Sequence, residues 1–163
     1  MKLHLPYYSE KTRVAVQGET VEVKAYQIIV WVSISSVETS EWDSRIPRFP
    51  AILDIGNSHN FALTEKHLLK WAGIHAAGLP RLRWMRKEGK KVLLRSASLW
   101  LDTDDGNPFG LSIDDGIAVF DSDWPRLPIL GLRAVTNSKL QTFIYGDTKQ
   151  VLIRTPPKWY WPF

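Results

Sequence analysis

Short apolar runs separated by turn-forming residues recur along this chain, and this pattern restricts its possible folds more than any other feature of the sequence. Valines occupy alternate positions in 13–17 and again in 20–24, on either side of Gly18-Glu19. A glycine that comes first in a two-residue loop is typical of a type II′ hairpin. The predicted register sets two valine pairs on one face: Val16 with Val21, and Val14 with Val23.

Further strand patterns follow the first hairpin. Apolar residues alternate through the next segment, at Tyr26, Ile28, Val30, Val32 and Ile34. Ile29 and Trp31 occupy the intervening positions, so the middle of this strand is expected to be buried on both faces. Near the end of the chain, segments 140–145 and 150–154 flank Gly146-Asp147 and predict another hairpin.

Helix signals are few. Thr64 can cap a helix that has Glu65 in its first turn, and Gly73 can end it. A helical turn is also expected within RLPILGLRAV, after the glycine at 131. The pattern therefore predicts an all-β protein with one or two short helices.

Composition limits the class of protein. The chain has 163 residues, 44% of them apolar, and no cysteine. We therefore expect a single domain, residues 1–163 with a core at about 13–155, and no disulfide or thiolate metal site. No signal-peptide pattern opens the chain, and no apolar run approaches the roughly 18 residues of a membrane span, so a soluble cytoplasmic protein without membrane contact is expected.

The stretch RFPAILDIGNSHNFAL, residues 48–63, places a carboxylate at the end of an apolar run. Asp54 follows the run Ala51–Leu53, and Gly56 comes two residues later. An aspartate at a strand end before a glycine is often only a turn former. A second short motif, Ile129-Leu130-Gly131, lies downstream and is followed by the predicted helical turn.

These two motifs resemble those of the retropepsin-like aspartic proteases. Members of that family carry two apolar residues, then Asp-Thr/Ser-Gly, and later two apolar residues and a glycine before a short helix and paired strands. ILDIGNSHNFAL and PILGLRAV match this pattern in order, and the resemblance runs from about Val21 to Ile153. It implies a closed retropepsin-like β-barrel. It also implies that the chain is similar to the bacterial-type, single-domain members of the family.

The resemblance also implies a mechanism and an assembly. Asp54 is the implied catalytic residue, within a loop formed by Ile55, Gly56, Asn57 and Ser58, and the support motif is Ile129, Leu130 and Gly131. Two nearby carboxylates share one proton, so that one accepts a proton from water while the other donates one to the scissile carbonyl. One chain carries one such motif, so a homodimer is implied. Peptides or proteins are the implied substrates, and no cofactor or metal is expected.

Ile55 departs from the family pattern, which has threonine or serine at that position. A hydroxyl there bonds across the dimer axis, and isoleucine cannot replace that bond. Asn57 or Ser58 could compensate by bonding to Asp54. The alternative hypothesis is therefore a catalytically inactive peptide-binding or interaction module with the same fold.

Residues 81–101 predict a hairpin that bends at Glu88-Gly89. By resemblance this hairpin is the candidate flap, with Trp84 on one arm. It is rich in arginine and lysine, and the segment after it is rich in aspartate and is expected to be mostly loop. The acidic segment would cancel most of the field of the hairpin, so a flap or a solvated hairpin is favoured and nucleic acid is not expected as a partner.

Several other features have less specific interpretations. His59, His67 and His75 are spaced eight apart, which matches no metal-ligand spacing. Asp104-Asp105-Gly106 and Asp114-Asp115-Gly116 also fit Asp-x-Gly, but both lie in the predicted loop region. The end segments 3–8 and 159–163 either interleave in a dimer, as the resemblance implies, or pack onto the chain's own core.

Overall fold

A computed structural model describes residues 1–37, 39, 41–87 and 89–157 of the chain. Strands dominate these residues. The first seven strands are β1 (Lys2–Pro6), β2 (Thr12–Val16), β3 (Glu19–Val23), β4 (Ile28–Ser35), β5 (Arg48–Asp54), β6 (Phe61–Thr64) and β7 (Arg81–Lys87). The other seven are β8 (Lys90–Arg95), β9 (Ser98–Leu101), β10 (Phe109–Leu111), β11 (Ile117–Phe120), β12 (Ile129–Gly131), β13 (Gln141–Tyr145) and β14 (Gln150–Arg154).

Two α-helices accompany the described strands: α1 (Glu65–Ala72) and α2 (Leu132–Asn137). A single 3-10 turn, Ala76–Gly78, follows α1. The prediction of a mostly β protein with one or two short helices is confirmed. Neither described helix is long and apolar enough to cross a membrane.

Nine of the described strands form one sheet, in the order β10-β9-β4-β5-β12-β6-β11-β8-β7. Pairing is parallel between β5 and β12 and between β6 and β11, and antiparallel elsewhere in this sheet. The expected closed barrel is not found among the described residues, since β10 and β7 end the sheet without pairing to each other. A barrel needs that last pairing to remove both edges.

The chain ends build a separate three-stranded sheet, in the order β1-β14-β13. Leu3 and Leu5 of β1 are buried in the main core. The first strand therefore pairs within its own chain, which agrees with the self-packing interpretation of segment 3–8. Segment 159–163 lies outside the described residues.

The first hairpin forms, but its register differs from the predicted one. Val14 pairs with Val21, and Val16 pairs with Glu19. The two-residue loop is Gln17-Gly18, with φ of 46° and 83°. Two positive φ values are typical of a type I′ turn, whose twist matches that of the strands. The predicted loop, Gly18-Glu19, was therefore one residue too late.

One other prediction about the strands needs correction. The second arm of the 81–101 hairpin is two strands, because β8 pairs with β7 whereas β9 leaves the hairpin and pairs with β4. The aspartate-rich segment is mostly loop, as predicted, but it also contains two short strands, β10 and β11, and β11 lies inside the main sheet. The apolar run at 117–120 is short, and the surrounding turn residues conceal its pairing with β6 and β8.

Helix α1 begins and ends where the sequence predicts. The hydroxyl of Thr64 accepts a hydrogen bond from the backbone N–H of His67 at 3.1 Å, and the Thr64 N–H donates to Nδ1 of His67 at 3.4 Å. These reciprocal bonds form a capping box. Gly73, at φ 67°, ends the helix in the left-handed conformation.

The imidazole of His67 is held in its neutral form. Its ring stacks on Trp71 with centroids 4.9 Å apart. Burial lowers the pKa of His67, a hydrogen bond to the Arg126 backbone opposes this, and the charge of Lys70 lowers the pKa further. Protonation would also place a donor at Nδ1, against the Thr64 N–H.

Stability should therefore fall in mild acid. The folded pKa of His67 lies below 6.5, so its contribution is present above that pH and is lost as pH falls through the folded value. The variant His67→Gln keeps an acceptor in the capping box but does not titrate. We expect urea denaturation to show a smaller loss of stability in His67→Gln than in the wild-type chain between about pH 8 and about pH 5. Equal losses in the two chains would contradict this assignment.

Candidate functional site

Asp54 ends β5, and two strands flank that end. Strand β4 runs antiparallel on one side, with Ile28 opposite Leu53. Strand β12 runs parallel on the other side, with Gly131 opposite Asp54. The two motifs that carry the resemblance are thus direct neighbours in the sheet, although 77 residues separate Asp54 from Gly131 in the sequence.

The support strand β12 lies between the two arms of the Asp54 loop. It pairs in parallel with β5, which enters the loop, and antiparallel with β6, which leaves it. Leu130 has no exposed surface, and its neighbour Ile129 packs in a second apolar cluster. One buried strand therefore pairs with both arms of the loop and holds them in place.

Gly131 fixes how closely this strand can approach the loop. A Cβ atom at that position would lie 1.9 Å from the backbone oxygen of His59 and 3.1 Å from that of Asn57. The Gly131 N–H donates to the backbone oxygen of Asn60 at 3.0 Å. A glycine is needed here because of space, and its φ of −83° is one that other residues also adopt.

The Asp54 carboxylate is oriented by its own loop. The Gly56 N–H donates to Oδ1 of Asp54 at 2.8 Å, and the Asn57 N–H donates to the Asp54 backbone oxygen at 3.2 Å. A Cβ at Gly56 would lie 3.3 Å from Oδ1, which is a tight contact. Gly56 therefore serves the carboxylate through both its N–H and its missing side chain.

The polar residues of the loop do not compensate for Ile55 in the predicted way. The side chain of Asn57 is buried, and its Oδ1 accepts a bond from the His59 N–H at 2.9 Å. Ser58 is exposed, and no hydrogen bond joins it to Asp54 in the described part of the chain. The compensating bond to the carboxylate comes from the backbone of Gly56.

Ile55 projects from the loop into solvent. It is 64% exposed and lies between the half-buried Asp54 and the exposed Gly56. Leu132, which directly follows Gly131, is 40% exposed. Since Asp54 and Gly131 are register partners, these two exposed aliphatic residues lie close to the carboxylate on adjacent strand ends.

The returning arm of the loop, residues 57–60, leads from the loop tip to β6, and its burial was not predicted from the sequence. His59 and Asn60 are 3% and 2% exposed. Nδ2 of Asn60 donates to the Gly116 backbone oxygen at 3.4 Å, and the His59 ring packs edge-on against Phe120. A run of Asn, Ser and His between apolar residues reads as a surface turn, so no local signal could reveal that it is buried.

The hairpin proposed as a flap lies several strands from Asp54 in the sheet. Four strands, β12, β6, β11 and β8, separate β7 from β5 in the sheet order. Trp84 is 61% exposed on β7, and Gly89 has a φ of 78°. Glu88 lies outside the described residues. A flap role for Trp84, Glu88 and Gly89 stays a prediction.

The two other Asp-x-Gly sequences serve turns and ion pairs. The Thr103 hydroxyl and the Asn107 backbone lower the pKa of Asp105. The carboxylate of Asp115 pairs with Arg83 at 2.8 Å and also with Arg133. Arg83 of the basic hairpin is therefore neutralised by Asp115 of the acidic segment.

No metal site adjoins the Asp54 loop in the part of the chain that the structure describes. Within the described ranges no group of three His, Asp or Glu side chains is arranged to hold a metal ion. A cavity of about 510 Å³ lies against other segments, beside Arg48 and Asp102. The loop presents an oriented carboxylate with adjacent exposed aliphatic side chains.

No protein-family model and no curated protein matches this chain. The candidate site therefore stands on its own geometry.

Replacing Gly131 with alanine should destabilise the protein strongly. The added Cβ meets backbone atoms that cannot rotate away, so we expect a loss of more than about 2 kcal/mol in the free energy of unfolding. Gly146→Ala is the matched control, because nothing lies within 4 Å of a Cβ there. Urea denaturation of both variants gives the comparison, and similar losses would contradict the close packing of β12 against the loop.

Proposed function

We propose that this chain is a retropepsin-like aspartic endopeptidase, in which two copies each contribute Asp54 to a catalytic pair. Its substrates are peptides or proteins, cleaved by a water molecule activated between the two carboxylates. The proposal requires no cofactor, since both proton-transfer roles fall to aspartate.

The observation that carries this proposal is the register of Gly131 opposite Asp54. If Asp54 only formed a turn at the end of β5, it would not need the Gly131 motif beside it. Here the second motif of the resemblance pairs with both arms of the Asp54 loop and leaves no space for a side chain at Gly131. Accurate placement of a carboxylate is what acid–base catalysis needs, and a loop clamped by a buried strand supplies it.

The elements after Gly131 also follow the family's order. Helix α2 begins at Leu132, directly after the motif, and β13 and β14 then pair as a hairpin. This agreement supports the resemblance beyond the two short motifs, whose letters alone are weakly specific.

The surroundings of Asp54 support a second copy of the chain as the partner. One loop offers one carboxylate, and the shared proton of the mechanism requires two. Ile55 and Leu132 expose apolar surface beside that carboxylate. In a two-fold pair the same residues from both chains would meet, and burial of an aliphatic side chain contributes about 1.5–3 kcal/mol. Such contacts can replace the hydroxyl bond that Ile55 cannot make.

Asp54→Asn should remove peptide cleavage while leaving the fold intact. Asparagine retains an oxygen that can accept the Gly56 N–H, but it cannot act as acid or base. We expect the variant to cleave a peptide library about 10²–10⁴-fold more slowly than the wild-type chain, at every pH tested from acidic to neutral. Glu10→Gln is a matched control, because Glu10 is an exposed carboxylate outside the Asp54 loop. Cleavage that survives in Asp54→Asn would remove Asp54 from the mechanism.

A second candidate function is a peptide-binding module that keeps this fold without catalysis. The exposed Ile55 favours it, because the loop lacks the hydroxyl that steadies the pair in active members of the family.

Ile55→Thr separates the two candidates. For a working enzyme we expect the variant to retain or increase cleavage in the same peptide assay, because threonine restores the bond across the axis. Sedimentation velocity, run alongside, reports whether the chain is paired under assay conditions. A chain that shows no cleavage with either residue at position 55, although it is paired, would favour the binding module.

A further inference from the structure

Arg95 is a buried cation to which no carboxylate pairs among the described residues. It lies on β8, is 7% exposed, and is the register partner of Arg81 on β7. Its Nη1 donates to the Leu79 backbone oxygen at 2.8 Å. Its Nε is buried and has no hydrogen-bond partner, and no ion pair to Arg95 occurs among the described residues.

This arrangement is costly for the folded chain. A guanidinium group stays charged at any ordinary pH, so it cannot avoid the cost by losing its proton. Burying a charge without a counter-ion costs several kcal/mol, and one backbone carbonyl offsets only part of that cost. Arg83, on the same hairpin, is 57% exposed and still pairs with Asp115, whereas the buried Arg95 forms no ion pair among the described residues. The environment of Arg95 therefore fits an anion that comes from another molecule.

A cavity at Arg95 is available for such an anion. It has a volume of about 240 Å³ and lies where the β7–β8 hairpin meets the end of β11 and the start of α1. Arg81 and Lys91 also line it, and neither forms an ion pair within the described ranges. Glu65 and Asp121 are its two carboxylates, which leaves three cations against two anions. The excess positive charge favours an anionic ligand.

The size and the edges of the cavity indicate which kind of anion fits. Pockets for whole cofactors or drug-sized ligands usually measure about 300–1,000 Å³, so 240 Å³ suits a single side chain better. Strand β7 is the last of its sheet, and its outer edge has no strand partner among the described residues. Leu82 and Trp84 on that edge are 46% and 61% exposed. An unpaired edge with apolar side chains can bind an extended peptide.

We propose that this cavity binds the carboxylate of a glutamate or aspartate side chain in an extended peptide that lies along β7. Arg95 and its neighbours Arg81 and Lys91 supply the positive charge, and Trp84 supplies apolar contact beside it. The site does not use Asp54, so it stands whether or not the chain is a protease.

The test is binding of a fluorescein-labelled peptide, Val-Thr-Glu-Val-Thr, followed by fluorescence anisotropy. The Asp54→Asn chain is used beside the wild-type chain so that cleavage cannot remove the probe. We expect the peptide with glutamine in place of glutamate to bind at least about tenfold more weakly, because only the carboxylate forms charge-assisted hydrogen bonds with the cations of the cavity. Equal binding of the two peptides would overturn the proposal.

Variants locate the site. Arg81→Gln combined with Lys91→Gln should weaken the glutamate peptide about tenfold or more. Both side chains are exposed, so the fold should not depend on them. Arg86→Gln is the matched control, because Arg86 lies on the same hairpin but outside the cavity lining. Arg95→Met should abolish the preference for glutamate over glutamine, provided that its circular dichroism spectrum matches the wild type. An equal loss in Arg86→Gln would overturn the proposal by showing that only the overall charge of the hairpin matters.

Two competitors identify the class of ligand. Free glutarate carries the same carboxylate without a peptide backbone, and we expect it to displace the probe only at much higher concentration. Glutarate that binds as tightly as the peptide would overturn the peptide as the ligand. A single-stranded oligonucleotide that displaces the probe more strongly than unlabelled peptide would also overturn it, in favour of a nucleic-acid surface.

Discussion

The close approach of β12 to the Asp54 loop is the contact on which the rest of the main sheet depends. This short strand joins β5 to β6, and the two flanks of the sheet continue outward from those strands. The approach is possible because Gly131 has no side chain to meet the backbone of His59. A single missing methyl group thus lets two segments that are distant in sequence form one rigid unit around a carboxylate.

The same unit explains why the Asp54 loop can be both accurate and exposed. Its returning arm is buried through Asn57, His59 and Asn60, whereas its tip presents Asp54, Ile55 and Gly56 to solvent. The buried arm gives rigidity, and the exposed tip gives access to a partner chain or a substrate. Rigid support beneath an accessible functional group is the usual arrangement of catalytic and binding loops.

The molecule also holds a charge away from the Asp54 loop. Arg95 is buried on β8, beside the outer strand β7, and no counter-ion pairs with it among the described residues. Both side chains are held by a backbone group, since Asp54 accepts a hydrogen bond from the Gly56 N–H of its own loop and Arg95 donates one to the Leu79 carbonyl. An anionic peptide held at Arg95 and a peptide cleaved at Asp54 are separate hypotheses with separate tests.

The sequence alone determined the elements whose signals are local. The capped helix between Thr64 and Gly73, the strand before Asp54 and the strand–helix unit at Gly131 follow from caps, turns and apolar periodicity. Only the tertiary structure decided the type I′ register at Gln17-Gly18, the burial of His59, the pairing of β11 and the open edges of the sheet. Those outcomes depend on which distant segments meet, and the free energy of such contacts is not recorded in any one stretch of the chain.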